Sequence, residues 1–168
     1  MNKILISLVF ILFLSNIYSQ DDYLKLPRTK TNCPTIIIEK DIIANESAIG
    51  TTKELITEIS VLKDKPNRKE HKFFNLTENG IIFFSLKKKI PFKKQSELND
   101  FFGIEKNSGV YVNGYLLESS DYKIATESIL EVELVEPNSE NKLKNKAINI
   151  WTLTKEERTN GCKKQNVN

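Results

Sequence analysis

One histidine, His71, and two cysteines, Cys33 and Cys162, are the only residues here suited to transition-metal or thiol chemistry. A zinc or copper site draws several such ligands together at short spacing, and no such cluster occurs. His71 stands among Arg68, Lys69, Glu70 and Lys72, the setting of a solvated loop. No G-x-S-x-G elbow, P-loop or dinucleotide fingerprint accompanies it. Glu131, Glu133 and Glu136 are spaced like paired acids, but strand alternation places the first two on a solvent face. We therefore expect no catalytic residue, no cofactor and no metal ligand.

Two groups of residues suit contact with a partner. Lys87, Lys88 and Lys89, with Phe92 and the following lysines, form the one basic and aromatic patch. Tyr115 and Tyr122 lie where a strand-rich module could present them at its surface. Nucleic acid is not the expected partner, because the formal charge is only +3 and no basic recognition motif is present. The sequons Asn45-Glu46-Ser47 and Asn75-Leu76-Thr77 would matter only where glycosylation occurs.

The N-terminus sets the compartment. Lys3 precedes an apolar run from Ile4 to Leu14, followed by the small and polar residues Ser15 to Ser19. That run is shorter than the roughly 20 residues of a membrane span, and it reads as a secretory signal at 1–19. A periplasmic or secreted location follows as the expectation, with no membrane span once the signal is removed. Losing Lys3 with it takes the formal charge from +3 to +2. In such a compartment Cys33 and Cys162 are a candidate disulfide near the two ends of the mature chain.

The elements that must position these residues are mostly strands. Thr35 to Glu39, Glu58 to Lys63, Ile81 to Leu86, Val110 to Val112, Ile129 to Val135 and Ala147 to Leu153 carry β-branched or alternating apolar residues. Lys53 to Ile56 suits a short helix. Ser96 to Phe102 suits another, with Ser96 as its cap and Gly103 as its stop. The expectation is an α+β fold with roughly six strands and two or three short helices.

These strands repeat. Ile37 to Ile43 lies over Tyr111 to Leu117 at an offset of 74, Glu58 to Lys63 over Glu131 to Glu136 at 73, and Asn79 to Leu86 over Lys146 to Leu153 at 67. The organisation read from this is a lead-in at 20–34, a first unit at 35–89, a linker with a short helix at 90–107, a second unit at 108–155 and a polar tail at 156–168. Each unit has about 50 residues, marginal for a separate lobe, so one shared core is expected.

Each unit resembles the C-terminal part of the plug domain of TonB-dependent outer-membrane receptors of the Bacteroidetes type. The second unit carries the resemblance in YVNG, ILEVELVEP and AINIWTLT. The first carries it in ITEISVLKDKP and ENGIIFFSLKK, with Glu39-Lys40-Asp41 where the family has Asp-Gly. The Gly-rich stretch between the last two strands is missing from both units. A receptor barrel takes at least about eight strands of some ten residues, and none is legible. The resemblance therefore implies two degenerate plug-like units without a barrel. The expected function is a non-enzymatic protein-binding or accessory module for envelope proteins, not a transporter. A small extracytoplasmic enzyme or inhibitor and a self-associating surface protein are the alternatives.

Overall fold

The structure is a computed structural model, and it describes residues 23–50, 53–68 and 71–162. The segment read as a secretory signal, 1–19, and residues 163–168 of the tail lie outside the described residues. The fold is α+β, with ten strands in two sheets and three short α-helices among the described residues.

Strands β1 (Thr35–Ile38) and β2 (Ile42–Ala44) form a hairpin, with β1 also parallel to β4 (Ile81–Leu86). Strand β3 (Ile56–Leu62) runs antiparallel to β4. The second unit repeats this order. Strands β6 (Val110–Val112) and β7 (Tyr115–Leu116) form a hairpin, β6 runs parallel to β10 (Ala147–Trp151), and β9 (Glu131–Val135) runs antiparallel to β10. A 3-10 turn precedes the edge strand in both units, at Lys53–Leu55 and at Thr126–Ser128.

The observed register corrects one offset of the repeat. Ile38 pairs with Phe84, and Val112 pairs with Ile150. With Ile38 over Val112, Phe84 therefore lies over Ile150, an offset of 66 and not 67. A one-residue slip turns every side chain of a strand to the other face: the offset of 67 had laid Ile81 and Phe83 over Ile148 and Ile150, all on the shared cluster, whereas the register lays Phe84, on the other face of its sheet, over Ile150.

Four strands escaped the sequence reading: β2, β7, β5 (Phe92–Lys94) and β8 (Lys123–Ala125). Each has two or three residues, too few to show a period of two; β6, equally short, was read from its β-branched valines. Strands β8 and β5 join the first sheet beyond β2, giving the order β3-β4-β1-β2-β8-β5. The stretch read as linker thus contains an edge strand, and the second unit lends β8 to the first unit's sheet. The other sheet runs β7-β6-β10-β9.

The helices are α1 (Glu46–Ile49), α2 (Gln95–Phe101) and α3 (Lys155–Asn160). Helix α1 follows Asn45, whose side chain accepts from the Ser47 N–H and spends an otherwise unpaired donor of the first turn. Ser96 is not the cap of α2. The Glu97 carboxylate reaches back to the Lys94 N–H at 2.7 Å, and Ser96 lies inside the first turn. Gly103 does end α2: at φ 66° its N–H meets the Asp100 carbonyl, while the Ile104 N–H meets that of Asn99. Residues read as a polar tail begin with α3, where Thr154 and Glu157 cap each other's backbone.

One apolar cluster joins the sheets. Ile37, Ile43 and Ile81 of the first share it with Val110, Val112, Ile148 and Ile150 of the second. Each such side chain is worth about 1.5–3 kcal/mol when fully buried, so neither sheet's inner face is independent of the other. A second cluster, around Ile38, Ile42, Ala48, Leu86 and Ile90, lies on the opposite face of the first sheet.

Candidate interaction surface

Register shows what each unit does with equivalent faces. In the second unit Val132, Ile150, Val112 and Tyr115 form a row across four strands, and Leu134, Ile148 and Val110 lie in the next. Apart from Leu134, these residues belong to the shared cluster or pack against it. In the first unit the equivalent rows are Ile59, Phe84, Ile38, Ile42 and Val61, Ile82, Ile36, Ala44. They point to the opposite side from the shared cluster. Helix α1 and Ile90 cover the β2 end, where Ile38 and Ala44 are buried. The β3 end is open: Ile59 is 55% exposed and Val61 54%.

Along the row of Ile36, Ile82 and Ala44 runs a groove of about 470 Å³, closed on its other side by Leu130, Leu153, Thr154 and Cys162. Cys33 and Cys162 are bonded to each other. That bond anchors the segment carrying α3, and so one wall of the groove, to the start of β1. Asn45 strengthens the same corner: its Nδ2 donates to the Thr152 carbonyl at 3.0 Å, and its backbone N–H donates to Ser128 Oγ at 2.9 Å.

The backbone of β3 adds to this surface. A sheet edge offers unpaired N–H and C=O groups to any extended chain, and folded proteins usually blunt it. Three of the four edges here are blunted. Residues Leu24 to Leu26 hydrogen-bond along β7 at 2.7 and 2.9 Å. Strand β9 carries Glu131 and Glu133, and β5 is three residues long with two lysines. Strand β3 has seven residues, among them a single charge at Glu58, and among the described residues no strand pairs with its outer side.

The residues singled out as partner contacts fare differently. Phe92 is partly exposed on β5 beneath the Lys123 ammonium, and Lys87, Lys88 and Lys89 are exposed after β4. Tyr115 and Tyr122 are not surface residues, at 4% and 1% exposure. The Tyr115 hydroxyl donates to Glu78, and Tyr122 stacks on Phe73 at 4.9 Å. Aromatic rings at strand and loop positions fill the core here, so neither tyrosine is available to a partner. Asn75 of the second sequon is buried as well, accepting from the Leu24 N–H and donating to the Leu116 carbonyl.

A recess of about 320 Å³ gathers His71, Glu58, Ser60 and Ser85. Nucleophilic catalysis needs a base in hydrogen-bond contact with its nucleophile. His71 Nδ1 instead accepts from the Phe73 N–H at 3.2 Å, and no hydrogen bond joins it to either serine. Burial, then the Lys72 ammonium, hold its pKa below the ordinary value. Among the described residues no group of His, Cys, Asp or Glu is placed to hold a metal ion, and no helix is long and apolar enough to cross a membrane.

Sequence reasoning missed Ile59 and Val61 as surface residues, because alternation with Glu58 and Ser60 marks them as buried. No protein-family model matches the chain, and neither curated proteins nor solved structures provide a match.

Proposed function

We propose that this chain is a non-enzymatic protein-binding or accessory module of the cell envelope, periplasmic or secreted. It takes an extended, largely apolar segment of an envelope protein on the edge of β3 and the face beside it. One observation carries the reading: Ile59, whose counterpart Val132 packs against the shared cluster, is open in the first unit, and Val61 lies exposed beside it on β3. An added strand would satisfy the β3 backbone, and apolar residues at alternate positions would extend both rows. The resemblance to receptor plug units gives independent support for a role among envelope proteins.

The test is a photo-crosslinking amino acid placed at Ser60, with a control at Lys155. A partner trapped at Ser60 and not at Lys155, and lost in Val61→Lys and Ile59→Lys variants, supports the reading. Crosslinks only between copies of the chain would replace it with self-association. Absence of any Ser60-specific crosslink in the native envelope would overturn it.

A further inference from the structure

A second cleft, of about 350 Å³, is lined by Arg28, Lys30 and Arg158, by the hydroxyls of Thr29, Thr31 and Thr159, and by Trp151 and Asn113. No carboxylate is among its lining residues. We infer that this cleft binds a phosphate group, carried on a saccharide or free.

The backbone at Arg28 is the first reason. Leu26, Pro27, Arg28 and Thr29 form a turn closed by the Thr29 N–H on the Leu26 carbonyl at 3.3 Å, with Arg28 at φ 63°. Proline at the second position and positive φ at the third define a type II turn, where glycine or asparagine is favoured. An arginine held there carries a conformational penalty that glycine would not. The penalty places a guanidinium at the mouth of the cleft. Strained positions of this kind gather at ligand sites.

The cations are held in place with donors to spare. Arg158 spends Nε on the Leu153 carbonyl and Nη2 on Glu131, and its guanidinium lies 4.1 Å from the centre of the Trp151 ring. Arg28 uses one nitrogen on Glu140. A guanidinium has five N–H groups, so both retain donors. Lys30 forms no ion pair among the described residues. Charged donors beside hydroxyls suit the oxygens of a phosphate. The volume is at the small end for ligand pockets, suited to one sugar ring and its phosphate.

The experiment titrates the disulfide-bonded protein with inorganic phosphate, glucose 6-phosphate and glucose, following backbone amides and the Trp151 indole by NMR. Phosphate-bearing probes are expected to shift Thr29, Lys30, Thr31, Trp151 and Thr159 together at roughly millimolar concentration, while glucose leaves them unmoved. Tighter binding of glucose 6-phosphate assigns the site to a saccharide phosphate; equal binding assigns it to free phosphate. Arg28→Gly removes the charge while relieving the backbone, so folding is preserved. This variant and Lys30→Gln should each weaken binding by roughly tenfold. Unchanged affinity in Arg28→Gly, or shifts scattered away from the cleft, would overturn the inference.

Discussion

Glu39 and Asn113 hold the same station in the two units. Each has φ 51°, in the left-handed region, at the turn of its hairpin. Each lends a side-chain oxygen to the N–H at the far end of the parallel strand: Glu39 to Leu86 at 2.7 Å, Asn113 to Thr152 at 2.9 Å. A longer side chain in the first unit performs the same bond as a shorter one in the second.

Removing either oxygen should destabilise the fold. Asn113→Ala leaves the Thr152 N–H unpaired in a buried setting and removes the bond from Nδ2 to Thr152 Oγ1. We expect a loss of about 1–3 kcal/mol, with a smaller loss for Glu39→Ala at its partly exposed turn. Glycine at the same positions keeps the backbone relaxed, so the Gly and Ala variants separate strain from the lost bond. Urea unfolding midpoints at constant m-value measure both.

Reduction of the Cys33–Cys162 bond releases a loop with a sequence separation of 129. The expected cost is about 2–5 kcal/mol, read as a lower denaturant midpoint in Cys33→Ser and in reduced wild type alike. Amide exchange in α3 should rise more than exchange in β10, because the bond anchors the helix, whereas the strand is held by its neighbours on both sides.

Ile59 and Val61 are spent on the surface and not on the core. Val61→Lys should therefore change stability by no more than about 0.5 kcal/mol, and Ile59→Lys likewise. A thermal melt that falls far below wild type for either would show that β3 is closed by other parts of the chain.

Acid should weaken the fold partly through Glu78. Burial pushes its pKa up, but hydrogen bonds from Lys25 and Tyr115, together with the Lys25 charge, outweigh this and leave it below its ordinary 4.5. A depressed carboxyl means that the unfolded chain binds more protons in this window. Its contribution is complete above about pH 4.5 and disappears as pH falls through the folded value. Glu78→Gln should flatten that acid limb in pH-dependent unfolding. His71, depressed below 6.5, contributes a slope of the same sign at higher pH.

Strands β3, β4, β9 and β10 were legible because each has five or more residues with a periodic or apolar pattern, and the shorter β1 and β6 because they are rich in β-branched residues. Strands β2, β5, β7 and β8 were not, since two or three residues form a strand only when tertiary neighbours supply its hydrogen bonds. The tyrosines were placed at the surface because a single chain shows no difference between an aromatic that packs and one that waits. The open rows at Ile59 and Val61 were hidden for a related reason. Alternation says which residues share a face; it does not say whether anything covers that face.

The faces that equivalent rows present also give the molecule a direction. The second unit turns its Val112 row toward the first, and the first turns its Ile38 row away from the second. The units thus follow one another head to tail and are not mirrored across their interface. Such a stack has a finished end and an unfinished one. Glu131, Glu133 and Trp151 finish the outer side of the second unit with polar groups bonded to one another or to Arg158. At the other end the pattern stops partway across β4 and β3, as a course of masonry left toothed for the next wall.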